Sequence, residues 1–491
     1  MRKALLPVLP IVLLLLALSA CTSLYVLEAI PHTQDEVVYL FQAKIFNSGN
    51  LYLPSLPVGI RRFFDHEFII NNGKWYGKYT PGGSIFLMAP LAVNLPWLTN
   101  AIFGALSALL LYLIGRRAFS QRAGLLAAAL FAVSPFTILI SASFFSHPAA
   151  LFFTLLVFLG VLSLDLSRYT RRNNCWNVII GLSAGLVFMC RPYNLIPLAA
   201  VLLGYYAPRL LPPKSSEERR LWLAELACLA LPLVGVIAAE LAYNKVLTGS
   251  FLKFAQQVYS QYDFIGFGYR GVEWGQPFTT KMAMDNLGFN YRALKGVLFG
   301  WTDFYAVGLG ALLLLTRRRW LALFLLGFFA AQVGAYWFYF YSGVFYGPRY
   351  WYEASWVLVL LTAAGAVTLL GWVERWIGRR AGSVIFTLGL VAIVLLSLNW
   401  DRRYLPIYRG VNRMYRVALP PLRKPALVFV PATADWQAYG RYFILQSPIL
   451  AEDDIIFARD QALHNVWRYR PPLPDQLLID YLPGRNVYYL R

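Results

Sequence analysis

Eleven apolar stretches alternate along this chain with two different kinds of connection, some short and basic, others long and mixed. They fall near 4–30, 98–115, 123–141, 148–165, 176–190, 194–208, 222–244, 296–316, 320–341, 354–373 and 382–399. A helix needs about 20 predominantly apolar residues to cross the hydrocarbon core of a bilayer. Soluble helices keep a polar face, which most of these stretches lack. Of the 491 residues, 58% are hydrophobic and 14% charged, where soluble domains carry about 25% charged residues. The pattern excludes a soluble enzyme fold for most of the chain. It predicts an all-α polytopic membrane protein of about eleven transmembrane helices. Segments 176–190 and 194–208 are short and separated only by Cys190-Arg191-Pro192-Tyr193, so they form either a tight pair or one broken helix.

The first stretch follows Arg2 and Lys3 and contains Leu18-Ser19-Ala20-Cys21, the form of a bacterial lipoprotein cleavage site. A signal h-region is about 7–15 residues long. This run continues through Leu24, Tyr25, Val26 and Leu27, which favours an uncleaved spanning helix.

The charges give a topology. With the N-terminus inside, the inner loops collect Arg2, Lys3, Arg116, Arg117, Arg122, Arg168, Arg171, Arg172, Arg209, Lys214, Arg219, Arg220, Arg317, Arg318, Arg319, Arg375, Arg379 and Arg380. Those eighteen basic residues sit on very short connections with five acids (Asp165, Glu217, Glu218, Glu225, Glu374), as the excess of Lys and Arg on cytoplasmic loops requires. The net charge of +20 is therefore mainly a topology signal, and nucleic acid is not implied. The expectation is a multi-pass protein of the cell (plasma) membrane with a cytoplasmic N-terminus. The long segments 31–97, 245–295 and 401–491 then face outward, and function is expected there. The apolar runs Ala426–Val430 and Asp454–Ala458 are bounded by turn residues. They predict a small extracytoplasmic α+β domain over 401–491, after a membrane domain over 1–400.

The first outer loop opens with Pro31-His32-Thr33-Gln34-Asp35-Glu36-Val37-Val38-Tyr39-Leu40. Val37, Tyr39, Leu40, Ala43 and Phe46 mark an amphipathic helix, expected along the membrane surface. Asp35 and Glu36 sit at its start, where acids also favour a helix N-terminus. A carboxylate here can serve as a general base towards an acceptor hydroxyl. Lys and Arg can stabilise a leaving phosphate as point charge and bidentate fork.

Several motifs then agree in order and placement. These are Asp35-Glu36 with Tyr39 and Ala43; Lys78-Tyr79-Thr80-Pro81-Gly82-Gly83 leading into an apolar helix; Gly185-Leu186-Val187-Phe188-Met189-Cys190-Arg191-Pro192; Tyr243-Asn244-Lys245 with Thr248-Gly249-Ser250; and Gly347-Pro348-Arg349-Tyr350. Together they resemble the GT-C superfamily of membrane glycosyltransferases, in the branch of protein O-mannosyltransferases and the lipid A aminoarabinose transferase. The resemblance covers about residues 1–400. It implies a GT-C-like bundle, a polyprenyl-phosphate sugar donor, a glycan, glycolipid or protein acceptor, an outward-facing site in the lipid bilayer, and inversion at the anomeric carbon. Carried over by position, Asp35 is the base, and Glu36 tunes it or binds acceptor or a metal. Lys78 falls near the donor phosphate, although Gly77 stands before it where that branch has an acid. Arg349 and Arg191 are further candidates for the phosphate, from their chemistry and side of the membrane.

Blander readings stand beside these. Asp65-His66-Glu67 and Asp453-Asp454 read as solvated segments, and His147 as a polar cap of a helix start. Cys21, Cys175, Cys190 and Cys228 form no C-x-x-C pair, so no zinc site is signalled. No cofactor is required, though a divalent metal is compatible with the chemistry. The competing functions are a transporter or lipid flippase, and a non-catalytic membrane scaffold or lipoprotein-like anchor. Transporters tend to show internal repeats, and no repeat is evident.

Overall fold

A computed structural model describes residues 6–165, 170–207, 211–213, 215–270, 277–300, 304–315, 318–405, 419, 421–431, 436–461 and 473–490. Among the basic residues that carry the topology, Arg2, Lys3, Arg168, Arg209, Lys214 and Arg317 lie outside these residues.

The chain begins with α1 (Leu9–Cys21), which runs on as a π-helical turn to Val26. Helix α2 (Gln34–Asn47) follows. The rest of the first long loop is a small antiparallel sheet of β1 (Leu53–Pro54), β2 (Ile69–Asn71) and β3 (Lys74–Gly77), with β3 central. Then come α3 (Gly82–Ala92), α4 (Pro96–Ala118), α5 (Gln121–Ala132), α6 (Pro135–Ala142), α7 (His147–Val161) and α8 (Arg171–Cys190). They are followed by α9 (Leu195–Tyr206), α10 (Ser216–Thr248), α11 (Thr280–Val297), α12 (Phe304–Leu315), α13 (Arg319–Trp337), α14 (Tyr352–Ile377) and α15 (Arg379–Tyr404). The C-terminal part holds β4 (Ala426–Pro431), α16 (Trp436–Phe443), β5 (Ile455–Asp460), α17 (Gln476–Tyr481) and β6 (Asn486–Tyr489).

The molecule is a multi-pass membrane protein, with fewer full-length spans than its apolar segments number. Among the described residues seven helices are long and apolar enough to cross, or eight if the bent pair α5–α6 is one span. That pair turns by 60° at Ser134-Pro135, because proline cannot continue the ladder of the preceding helix. The segment at 148–165 becomes the 15-residue α7, and that at 194–208 becomes a 12-residue helix. Each is too short to span alone. The Cys190–Tyr193 break interrupts the helix, with Arg191 in an extended conformation between α8 and a single 3₁₀ turn.

One end of the bundle gathers the basic turns. Arg122 on α5 pairs with Glu374 on α14 at 2.5 Å. Arg117 donates to Ser163 Oγ at 2.8 Å, and Arg318 to the Ala118 carbonyl. The ends of α4, α7, α13 and α14 thus meet, as the charge pattern requires. The first long loop and the C-terminal part meet each other elsewhere, around α2.

Helix α2 is where the surface-helix expectation fails. It is buried on two faces. Tyr39, Leu40 and Ala43 belong to the core of the bundle. Val37, Val38, Phe41 and Ile45 belong to a second core shared with Trp75 of β3 and with Val428, Phe443 and Phe457 of the C-terminal part. The polar residues between them are satisfied locally: Gln42 accepts from Gly77 N at 2.9 Å and donates to the Leu51 carbonyl at 2.9 Å. The C-terminal sheet is parallel, ordered β5-β4-β6. Its docking is fixed by polar contacts as well. Lys44 Nζ donates to the carbonyls of Ile444 (2.5 Å) and Gln446 (2.9 Å), and Arg459 donates to the Asp65 carbonyl at 3.0 Å. His66 is buried here, its ring stacked on Phe443 at 5.2 Å, which corrects the solvated-loop reading of that segment. Burial pushes the His66 imidazole down to about 4, so it packs as a neutral ring.

Candidate active site

The start of α2 is built by an N-cap, in which the Thr33 hydroxyl accepts a free backbone donor of the first turn and the Glu36 side chain reaches back past the cap to the residue before it. Thr33 Oγ1 accepts from Glu36 N at 3.3 Å, and Glu36 Oε2 accepts from His32 N at 2.8 Å and from Thr33 Oγ1 at 3.2 Å. Glu36 Oε1 accepts from Phe144 N at 2.9 Å. Glu36 is therefore fully engaged in holding the helix start to the bundle. Its expected place beside Asp35 in the site is corrected: successive residues of a helix point in different directions, and Glu36 faces the interior. Burial raises its carboxyl to about 7 despite these hydrogen bonds.

Asp35 faces a cavity of about 430 Å³. The loop after β3 supplies Lys78 and Tyr79 to the same cavity. It is pulled in by Gly82, where a Cβ would lie 2.7 Å from the Met189 and Cys190 backbone. Only glycine permits that approach, and Thr80 Oγ1 adds a 3.2 Å bond to the Cys190 carbonyl. So the loop is fastened to the end of α8, where Arg191 turns into the cavity wall. Arg349 arrives from the turn before α14. There Gly347 has φ +121° and a Cβ would meet Phe136 at 2.7 Å, so the Gly347-Pro348-Arg349 turn needs its glycine twice over.

Four of the five residues expected from sequence therefore line one cavity: Asp35, Lys78, Arg191 and Arg349. Glu36 does not. Tyr79 donates to Asp35 Oδ1 at 2.6 Å, and Arg349 Nη2 lies 3.5 Å from the same oxygen. Asp35 Oδ2 accepts no hydrogen bond among the described residues, and the side chain remains 17% exposed. Burial pushes the Asp35 carboxyl up. The Arg349 charge, the Tyr79 hydrogen bond and the charges of Lys78 and Arg191 outweigh it and hold the group below its ordinary value. An ionised carboxylate with one oxygen bound and one free is what a general base requires.

Each cation has a carboxylate of its own. Arg349 pairs with Asp35, Lys78 with Asp263 at 3.3 Å, and Arg191 with Glu353 at 3.7 Å. Tyr339 donates to the other Asp263 oxygen at 2.8 Å, and Lys78 Nζ sits 3.6 Å above the Phe68 ring centre. Such contacts hold a cation in a partly dry wall. Asp263, Glu353 and Tyr79 are participants that sequence reasoning did not single out. Glu353 had a signal, an acid entering the apolar segment at 354–373, since ionisable residues at membrane depth tend to be functional. Asp263 had none. His147, read as a cap, is buried, and its Nδ1 lies 2.8 Å from Glu353 Oε1. Among the described residues no three His, Cys, Asp or Glu side chains converge as a metal site, so no holders of a divalent ion can be named.

Residues 92–237 match the family model described as dolichyl-phosphate-mannose-protein mannosyltransferase. The match covers that segment alone. The matched stretch includes the Gly185–Pro192 motif and Arg191, while Asp35, Lys78 and Arg349 lie outside it. No curated protein sequence matches the chain significantly. Among solved structures it is similar to ArnT from Cupriavidus metallidurans in the apo state, at 13% identity and a TM-score of 0.49, covering 92% of this chain and 90% of that one. A second structure of that protein is bound to undecaprenyl phosphate (14% identity, TM-score 0.48, 88% of this chain and 76% of that one). The Archaeoglobus fulgidus oligosaccharyltransferase matches at 15% identity and a TM-score of 0.44, over 88% of this chain. The chain spans 63% of that protein's length.

Proposed function

We propose that this protein transfers a sugar from a polyprenyl-phosphate-linked donor to an acceptor hydroxyl at this cavity, on the extracytoplasmic side, with Asp35 as general base. The observation that carries the reading is the setting of Asp35: partly open to the cavity, anchored through Oδ1 alone, and beside the Arg349 guanidinium. The family match of residues 92–237 supports the donor class, since the family is described by a dolichyl-phosphate sugar.

The geometry supports a single displacement. The acceptor O–H gives its proton to Asp35 Oδ2 as the oxygen attacks the anomeric carbon. The bond from that carbon to the phosphate oxygen breaks, the sugar inverts, and the lipid phosphate leaves with the electron pair. Arg191 and Lys78 hold the phosphate and meet the charge that develops on it, the electrostatic part of the catalysis. Arg349 keeps Asp35 ionised. Glu36 acts at one remove, through the hydrogen bonds to His32, Thr33 and Phe144 that fasten the start of α2 and so place Asp35 on the cavity wall.

The test is a transfer assay with the purified protein in proteoliposomes, supplied with labelled polyprenyl-phosphate sugars and an envelope extract as the acceptor source. The expected result is label in product and one free polyprenyl phosphate per sugar moved. Movement of an intact labelled lipid across the bilayer without cleavage would instead place the protein among flippases.

A further inference from the structure

The three cations of the cavity differ in where their counter-ions stand. Asp35 and Asp263 line the cavity together with Arg349 and Lys78. Glu353, the partner of Arg191, does not. It is buried on the first turn of α14. Arg349 and Lys78 thus have their ion-pair partners inside the cavity, where these compete with an anionic ligand, whereas the ion-pair partner of Arg191 stands outside it and Asp35 acts on Arg191 only as a further charge.

Arg191 is also held more completely than a lone ion pair would hold it. Glu353 Oε1 lies 3.7 Å from its Nε, and the same oxygen is 2.8 Å from His147 Nδ1. The Arg191 guanidinium sits 5.2 Å from the Tyr350 ring centre, and Tyr350 is stacked on Tyr336 at 4.7 Å. Tyr336 spends its single hydroxyl hydrogen on Asn194 Oδ1 at 2.8 Å, so towards Arg191 Nη2, at 3.3 Å, it can only accept. Asn194 Oδ1 takes a second bond from Gln332 Nε2 at 3.0 Å. Charge, ring and hydroxyl therefore fix the guanidinium on three sides.

Resting on the donor site proposed above, we infer that Glu353 is a positioning residue for the donor phosphate. From behind the wall it supplies the charge that lets Arg191 sit in a dry site and holds the guanidinium in one orientation, without contesting the ligand. His147 sets Glu353 in turn, by binding the oxygen that faces Arg191.

A double-mutant cycle in the full-length protein tests this, with two readouts: the donor KM, and the rise in melting temperature caused by polyprenyl phosphate alone. Arg191→Lys should raise the donor KM tenfold or more. Glu353→Gln, close to isosteric, should raise it roughly tenfold with a smaller change in kcat, within the range of coupling usual for residues in one network. Added to Arg191→Lys, it should cost little more. An equal loss from Glu353→Gln in both backgrounds, or no loss in either, would overturn the proposal and leave the donor site standing. Unchanged polyprenyl-phosphate binding by Arg191→Lys would overturn the donor site and the proposal with it. If Glu353→Gln does not fold, His147→Phe carries the same test. It leaves the charge in place and removes its anchor, so it should raise KM in the wild-type background and not in Arg191→Lys. An additive loss would count against the proposal.

Discussion

At the scale of residues, the site is an arrangement of charge around one carboxylate. Asp35 stays ionised because cations and one phenol outweigh the cost of its burial. Arg349 is the largest favourable contribution, so Arg349→Met should let burial prevail and raise the Asp35 pKa. The acid limb of the kcat/KM–pH profile should then move to higher pH, because a group whose pKa rises is protonated sooner as pH falls. A limb that stays in place would show that another group controls it. Glu36→Ala should act on stability instead, leaving buried donors of His32 and Phe144 without an acceptor. The expected loss is about 1–3 kcal/mol for such a vacancy, read as a fall in melting temperature. Four of the cavity residues were legible because short motifs carried them: Asp35, Lys78, Arg191 and Arg349. The direction of Glu36 was less so, since neighbouring acids look equivalent in a sequence and only the partner atoms, such as Phe144 N, tell them apart. Asp263 and Glu353 come from distant segments, and nothing local announces a pairing across 185 residues.

At the scale of elements, α2 decides the result. Its apolar residues suggested one buried face, and the structure buries two, because the second face is covered by a part of the chain more than 370 residues away. Periodicity within α2 could not show that cover. Phe41 marks it, with ring contacts to Trp75 at 5.1 Å and Phe443 at 5.3 Å. Phe41→Ala should cost about 3–5 kcal/mol, the usual range for an emptied aromatic site. Limited proteolysis should then release the C-terminal part more readily. Since α2 also carries Asp35, transfer should fall although Phe41 is remote from the cavity. An intact proteolysis pattern would mean that the polar contacts of Lys44 and Arg459 hold the parts together unaided.

At the scale of the whole molecule, the charge pattern was the most legible feature and the number of spans the least. Apolarity identifies what lies in the membrane, but Ser134-Pro135 and Cys190–Tyr193 divide the path into pieces that composition does not separate. The side assignments predict labelling. In a cysteine-free background, Asn50→Cys and Asp480→Cys should react with an impermeant maleimide on intact cells. Arg375→Cys should react only after permeabilisation. The account as a whole turns on Asp35, and one measurement tests it most directly: transfer of labelled sugar from polyprenyl phosphate by Asp35→Asn, with its melting temperature as a folding control. A folded variant slowed by about a hundredfold or more, the scale of a lost general base, is the predicted result. A folded variant with undiminished transfer would contradict it.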